Sequence, residues 1–179
     1  MAKRYITQGA LKKHTLADIF GIILERQITT RREIEYETGF SWGTVSSNVA
    51  LLIEKGFVTE EKSEQTTGAA GRTTYMLKPN ANEIVSIGLD VNRSGLSCEV
   101  VSLDYTTKKS FELPFTATTQ DEVLELGAGL CRTAISWCKK HNLRVFSLGV
   151  AIQGAVNGKL GVSLRFPNIA EWRSYHVKE

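Results

Sequence analysis

Residues 39–49 read GFSWGTVSSNV, and the folding of this stretch decides how the first third of the chain is organised. Gly39 tolerates the left-handed backbone of a tight turn. Ser41 offers a side-chain oxygen to cap a helix that begins at Trp42. Val45, Val49, Leu52 and Ile53 then recur at i, i+4, i+7 and i+8, an apolar stripe suited to one helix face, and Gly56 ends the run. Upstream, Thr30 to Glu33 has the capping-box pattern and opens a short helix carrying Ile34 that stops near Thr38 and Gly39. Thr15 to Asp18, TLAD, carries a similar pattern and predicts a first helix of roughly three turns, to about Gln27, on Ile19, Ile22 and Ile23.

Downstream the period changes. FVTEEKSEQTTGAAGRTTYMLKP (57–79) reads as strand, Gly-rich turn and strand, with Phe57 and Val58 on one arm, Tyr75 and Leu77 on the other, and GAAGR near the tip. Three helices followed by such a hairpin predict a winged helix-turn-helix over residues 1–80, whose third helix presents its first turns to double-stranded DNA. Burying Val45, Val49 and Leu52 leaves Trp42, Gly43, Ser46 and Ser47 on the outer face. Ser41, Thr44, Ser46 and Ser47 supply small hydroxyls for phosphate or base acceptors, and Asn48 suits an adenine edge. Trp42 fits against sugars or a thymine methyl, or else packs on a neighbouring helix or the wing. Arg72 in GAAGR suits a narrow minor groove. Arg31, Arg32, Lys12 and Lys13 are either phosphate contacts or solvated surface. Residues 1–80 carry 11 Lys and Arg against 9 Asp and Glu, a net charge of +2, so a basic face must come from arrangement rather than excess.

Composition sets the class. A chain of 179 residues with 42% hydrophobic and 23% charged residues is ordinary for a globular protein of one core or two small ones. No apolar run approaches the length of a membrane span, and MAKRYITQGALKKH lacks the apolar core of a signal peptide. The three cysteines, odd in number and without metal-ligand spacing, fit a reducing compartment, so a cytoplasmic location is expected, with no metal and no cofactor. Cys131 and Cys138, seven apart on a helical stretch, suit buried small side chains.

KPNANE (78–83) reads as a linker, because Pro79 cannot continue a strand ladder. Residues 84–179 differ in kind: IVSIGLDVN, LSCEVVSLD and KKSFELPF predict three successive strands, Gln120 to His141 a helix, and VFSLGVAIQGAVNG a buried strand running into a glycine-bearing loop. The whole is therefore expected to be α+β, a winged helix-turn-helix followed by a partial actin-like or ribonuclease H-like α/β lobe.

The order helix-turn-helix, wing, GLD strand and GVAIQGAVNG loop resembles the ROK family of repressors, open reading frames and sugar kinases, in its transcriptional-regulator branch. TVSSNV, GAAGR, GVAIQGAVNG and FPNIAEW (166–172) carry the likeness, which covers nearly the whole chain, although the part following the DNA-binding segment corresponds only to the start of the family's α/β domain. The resemblance implies a DNA-binding regulator, in particular a repressor of sugar-metabolism genes, controlled by a sugar or sugar phosphate and acting as a homodimer or higher oligomer when complete. It nominates Gly154, Asn157 and Asn168 for ligand contact, while Gly154 and Asn157 equally suit turn geometry. Departures argue against catalysis. Asp90 is followed by VNRS where the family's kinases have Gly-Gly-Thr, Gln153 replaces a proline, and the family's catalytic aspartate and zinc motif are not matched. The alternatives are a sugar kinase with an appended DNA-binding domain and a protein-interaction module. If 84–179 is only part of a lobe, exposed apolar surface is expected on it.

Overall fold

The computed structural model describes residues 8–63 and 74–177, with only the backbone path given for 8–13. The chain forms two compact units dividing between Asn80 and Ala81.

The first unit holds α1 (Gln8–Arg26), α2 (Arg31–Thr38), α3 (Trp42–Glu54) and an antiparallel pair, β1 (Val58–Lys62) and β2 (Tyr75–Pro79). The helix expected to start at Thr15 begins earlier: TLAD lies inside α1, because the preceding residues are compatible with a helix and nothing there stops it. Gln27, in the left-handed region at φ 62°, ends α1. The second capping box is present, with Thr30 N donating to Glu33 Oε2 at 2.7 Å and Glu33 N to Thr30 Oγ1 at 3.2 Å. Gly39 takes a positive φ of 69° and Ser41 caps α3. Ile19, Ile23, Ile34, Val45, Val49, Leu52, Val58 and Leu77 form the buried core. Lys78 and Pro79, expected in a linker, instead complete β2; as its last residue, Pro79 removes a hydrogen-bond donor only from the strand's end.

Partial burial pushes the Glu33 carboxyl up, but hydrogen bonds from Thr29 and Thr30, with Arg26 nearby, outweigh it and hold the group below its ordinary value of 4.5. A carboxylate depressed in the folded state contributes stability that is present above its unfolded value and lost as pH falls through the folded one. Thermal melts of the intact chain followed across pH 6 to 3 (about the range in which a carboxylate titrates) are therefore expected to show the first unit weakening towards acid. Glu33→Gln, which keeps a side chain able to cap, should flatten that dependence. Identical profiles for the two proteins would remove Glu33 from the explanation.

The second unit contains β3 (Ile84–Val91), β4 (Gly95–Ser102), β5 (Thr107–Pro114), α4 (Gln120–Lys140) and β6 (Arg144–Ile152). Its sheet has the order β5-β4-β3-β6, antiparallel except for the β3–β6 pair, and α4 carries the chain from β5 at one edge back to β6 at the other. Thr119 and Glu122 form a capping box at the start of α4. A Cβ on Gly127 would lie 3.2 Å from Leu89 Cδ2, so this glycine lets α4 sit close on the sheet. Cys98 of β4 and Cys138 of α4 are buried in the core between sheet and helix and Cys131 is half-buried; burial pushes the Cys98 thiol up to about 11. All three cysteines are free.

The buried strand expected at 145–152 is an exposed edge instead. No described strand pairs with the outer side of β6, and Leu148 and Val150 are 46% and 38% exposed. The register explains why: both lie on the face that carries the buried Ile87 and Leu89 of β3, so the apolar face of the sheet continues past its cover. Three short strands absent from the sequence reading follow as a separate sheet, β7 (Ala155–Asn157), β8 (Val162–Arg165) and β9 (Tyr175–His176).

Candidate nucleic-acid interface

The first turns of α3 form the candidate surface. Val45, Val49 and Leu52 are fully or nearly fully buried, which fixes the rotation of the helix and turns Trp42, Gly43, Ser47 and Ala50 outward. Trp42 is 45% exposed, so more than half of it is covered by its own unit and the rest is available as a flat apolar surface.

The hydroxyls divide into two kinds. Ser41 Oγ accepts from Thr44 N at 3.3 Å and lies 2.9 Å from Thr44 Oγ1, so both side chains serve the cap. Ser47 is exposed, its Oγ donating to Thr44 O at 3.1 Å and keeping lone pairs for an external donor. Asn48 Nδ2 donates to the same carbonyl at 2.8 Å; this half-buried amide faces along its own helix. Ser46 corrects the sequence reading. Its Oγ is enclosed and has no hydrogen-bond partner, because the residue sits at the margin of the Val45–Val49 face rather than on the outer one.

The cations are largely engaged. Arg26 pairs with Glu37 at 2.6 Å, Lys78 with Glu61 at 2.5 Å, and Arg31 with Glu60 across the gap between α2 and β1. Arg32 is exposed in the first turn of α2. Arg72 lies outside the described residues, as do the side chains of Lys12 and Lys13. No spacing in the sequence pointed to the Arg31–Glu60 pair, whose members are 29 residues apart.

In the second unit, Gly154 has φ 124°, and a Cβ there would overlap the carbonyl oxygen of Arg165 and come within 3.3 Å of Pro167 Cδ. The structure thus brings Gly154 against the segment that carries Asn168, which is half-buried. Asn157 is turned into its own loop, its Oδ1 accepting from Leu160 N at 3.2 Å. Among the described residues no cluster of His, Cys, Asp and Glu could hold a metal, and no helix is long and apolar enough to cross a membrane.

No family model and no curated protein matches the chain. Among solved structures it is similar to one described as a ROK family transcriptional regulator, homolog of the E. coli MLC protein, with a TM-score of 0.71, 18% identity and 89% of this chain covered. The chain has the fold of a ROK family transcriptional regulator. It spans 40% of that structure's length.

Seen as a ROK fold, the departures near Asp90 acquire a structural reason. Asn92 Nδ2 donates to Asp90 Oδ2 at 2.6 Å, and Asn92 Oδ1 accepts from Ser94 N at 2.8 Å, so the carboxylate belongs to the β3–β4 turn. Gln153 Oε1 accepts from Arg93 N at 3.0 Å, while Gln153 N donates to Val91 O at 2.9 Å. The glutamine standing where the family has proline ties the carboxyl-terminal ends of the parallel strands β3 and β6 together.

Proposed function

We propose that the chain is a sequence-specific DNA-binding transcriptional regulator whose first unit is a winged helix-turn-helix. The observation that carries this reading is the two-sided character of α3: one face is locked into the core by Val45, Val49 and Leu52, and the opposite face offers Trp42, a bare Gly43 and Ser47 in its first two turns. An α-helix so presented fits the major groove of duplex DNA. Ser41 and Thr44 support the surface by capping, Asn48 contributes through its Oδ1, and Arg72 belongs to the wing. Ser46 stands at the margin of the surface, with its hydroxyl turned inward. The second unit is read as the effector-binding part, in which Gly154, Asn157 and Asn168 serve a sugar or sugar phosphate. The complete protein then acts in the cytoplasm as a repressor of sugar-metabolism genes and as a homodimer or higher oligomer.

The kinase alternative is disfavoured by the closure at Gln153 and by the engagement of Asp90 within its own turn. A protein-interaction module is separated from DNA reading by salt. With most of the placed cations paired internally, three or four phosphate contacts are expected, so affinity for mixed-sequence duplex should fall by about 40- to 150-fold between about 50 and 200 mM salt. Trp42→Ala and Arg72→Ala should each weaken binding. An interaction module shows no such salt-dependent affinity and is indifferent to Arg72.

A further inference from the structure

The 13 residues of α3, WGTVSSNVALLIE, include no arginine, lysine or glutamine. That composition decides which bases the helix can tell apart. In the major groove guanine is read chiefly by Arg or Lys on O6 and N7, and adenine by an Asn or Gln amide on N6 and N7. The one amide of α3 is already engaged: Asn48 Nδ2 donates to Thr44 O at 2.8 Å, which lays the half-buried group along its own helix. Glu54, whose carboxylate could accept from the cytosine amine, closes the helix and pairs with Lys55 at 3.4 Å. The hydroxyls of Ser41 and Thr44 serve the cap, and that of Ser47, able to donate or accept, does not discriminate between bases.

The discriminating surface that remains is apolar. Gly43, Ser47 and Ala50 follow at i, i+4 and i+7 and all are exposed, so the Ala50 methyl stands on the outermost line of the helix. Trp42 adds an indole that is 45% exposed at the helix start. The base feature of the major groove that answers to an apolar side chain is the 5-methyl group of thymine. We infer that α3 reads its part of the site through thymine 5-methyl groups, with Ala50 and Trp42 as the reading side chains and without direct guanine readout by the helix. The inference rests on the DNA-binding reading given above. Trp42 and Ala50 are eight residues apart. That separation is about 12 Å along the helix, so the two side chains meet bases about three to four steps apart.

Uracil in place of thymine removes the methyl group and leaves base pairing intact, which isolates the contact. The site recovered by the intact protein from a random-sequence duplex pool is remade with each thymine replaced in turn by uracil, and each duplex is titrated at fixed salt. Loss of one buried methyl contact is expected to weaken binding by about fourfold at each position that α3 reads. Ala50→Gly should bind the thymine and uracil duplexes equally at one of those positions while keeping the sensitivity at the position assigned to Trp42. A melt of Ala50→Gly establishes that the first unit is folded, and the uracil series on the wild type is independent of any variant.

A site whose thymines all tolerate uracil without loss, while 7-deazaguanine weakens binding, overturns the inference and assigns the reading to guanine contacts. Methyl sensitivity that survives in full in a folded Ala50→Gly overturns the role of α3 in it. A pool that shows no recurring site overturns the DNA-reading function itself, and methyl readout falls with it.

Discussion

Gly154→Ala is expected to destabilise the second unit by more than about 3 kcal/mol, the largest stability loss anticipated for a single methyl group in this chain. Two effects add. The backbone at φ 124° lies in a region that costs a side-chain-bearing residue about 1–3 kcal/mol. The new Cβ would also overlap the Arg165 carbonyl oxygen, and the obstruction is main chain rather than the end of a flexible side chain. Relief would require separating β7 from β8 where Ala155 pairs with Arg165. Denaturant unfolding of the two proteins measures the difference, and a loss below about 1 kcal/mol would show that the loop yields easily. The result bears on function. Gly154 has a sufficient structural reason to be glycine, so a ligand role for it must be demonstrated by binding rather than inferred from its residue type.

The second large effect is on DNA affinity. Ser47→Glu is expected to weaken duplex binding at least about 100-fold, close to 2.7 kcal/mol, by placing a carboxylate on the face that approaches the phosphates. Ser47 is exposed, and its Oγ donates to the Thr44 carbonyl of the same helix. Glutamate is at least as good a helix former as serine, so the melting temperature should move by no more than the equivalent of about 0.5 kcal/mol. A large affinity change without a stability change is what distinguishes a contact surface from a packing position. If Ser47→Glu instead binds as tightly as the wild type, α3 does not meet the duplex on this face.

What the sequence disclosed follows the range of the interactions involved. Local signals were legible. The Thr30–Glu33 box, the Gly39 turn, the Ser41 cap and the Val45–Val49–Leu52 stripe lie within a few residues of their partners, and each is found as expected. TLAD misled because a capping pattern marks a helix start only where the chain before it leaves the helix, and here it does not. The edge position of β6 was hidden because a continuous apolar run looks the same whether or not a neighbouring strand and a covering helix are present. Ser46 failed by rotation: it is one residue from Val45 and three from Val49, close enough to the buried stripe for its hydroxyl to turn inward. Pairings distant in sequence, Arg31 with Glu60 and Gln153 with Arg93, leave no periodic trace and required the fold.

The central claim is that α3 reads DNA sequence, and selection from a random-sequence duplex pool at near-physiological salt tests it most directly, using the intact wild type and Ser47→Glu side by side. The account predicts that the wild type enriches a recurring site and that Ser47→Glu does not recover it. A pool that shows no recurring sequence after selection by the wild type, or a site recovered equally by both proteins, would contradict it.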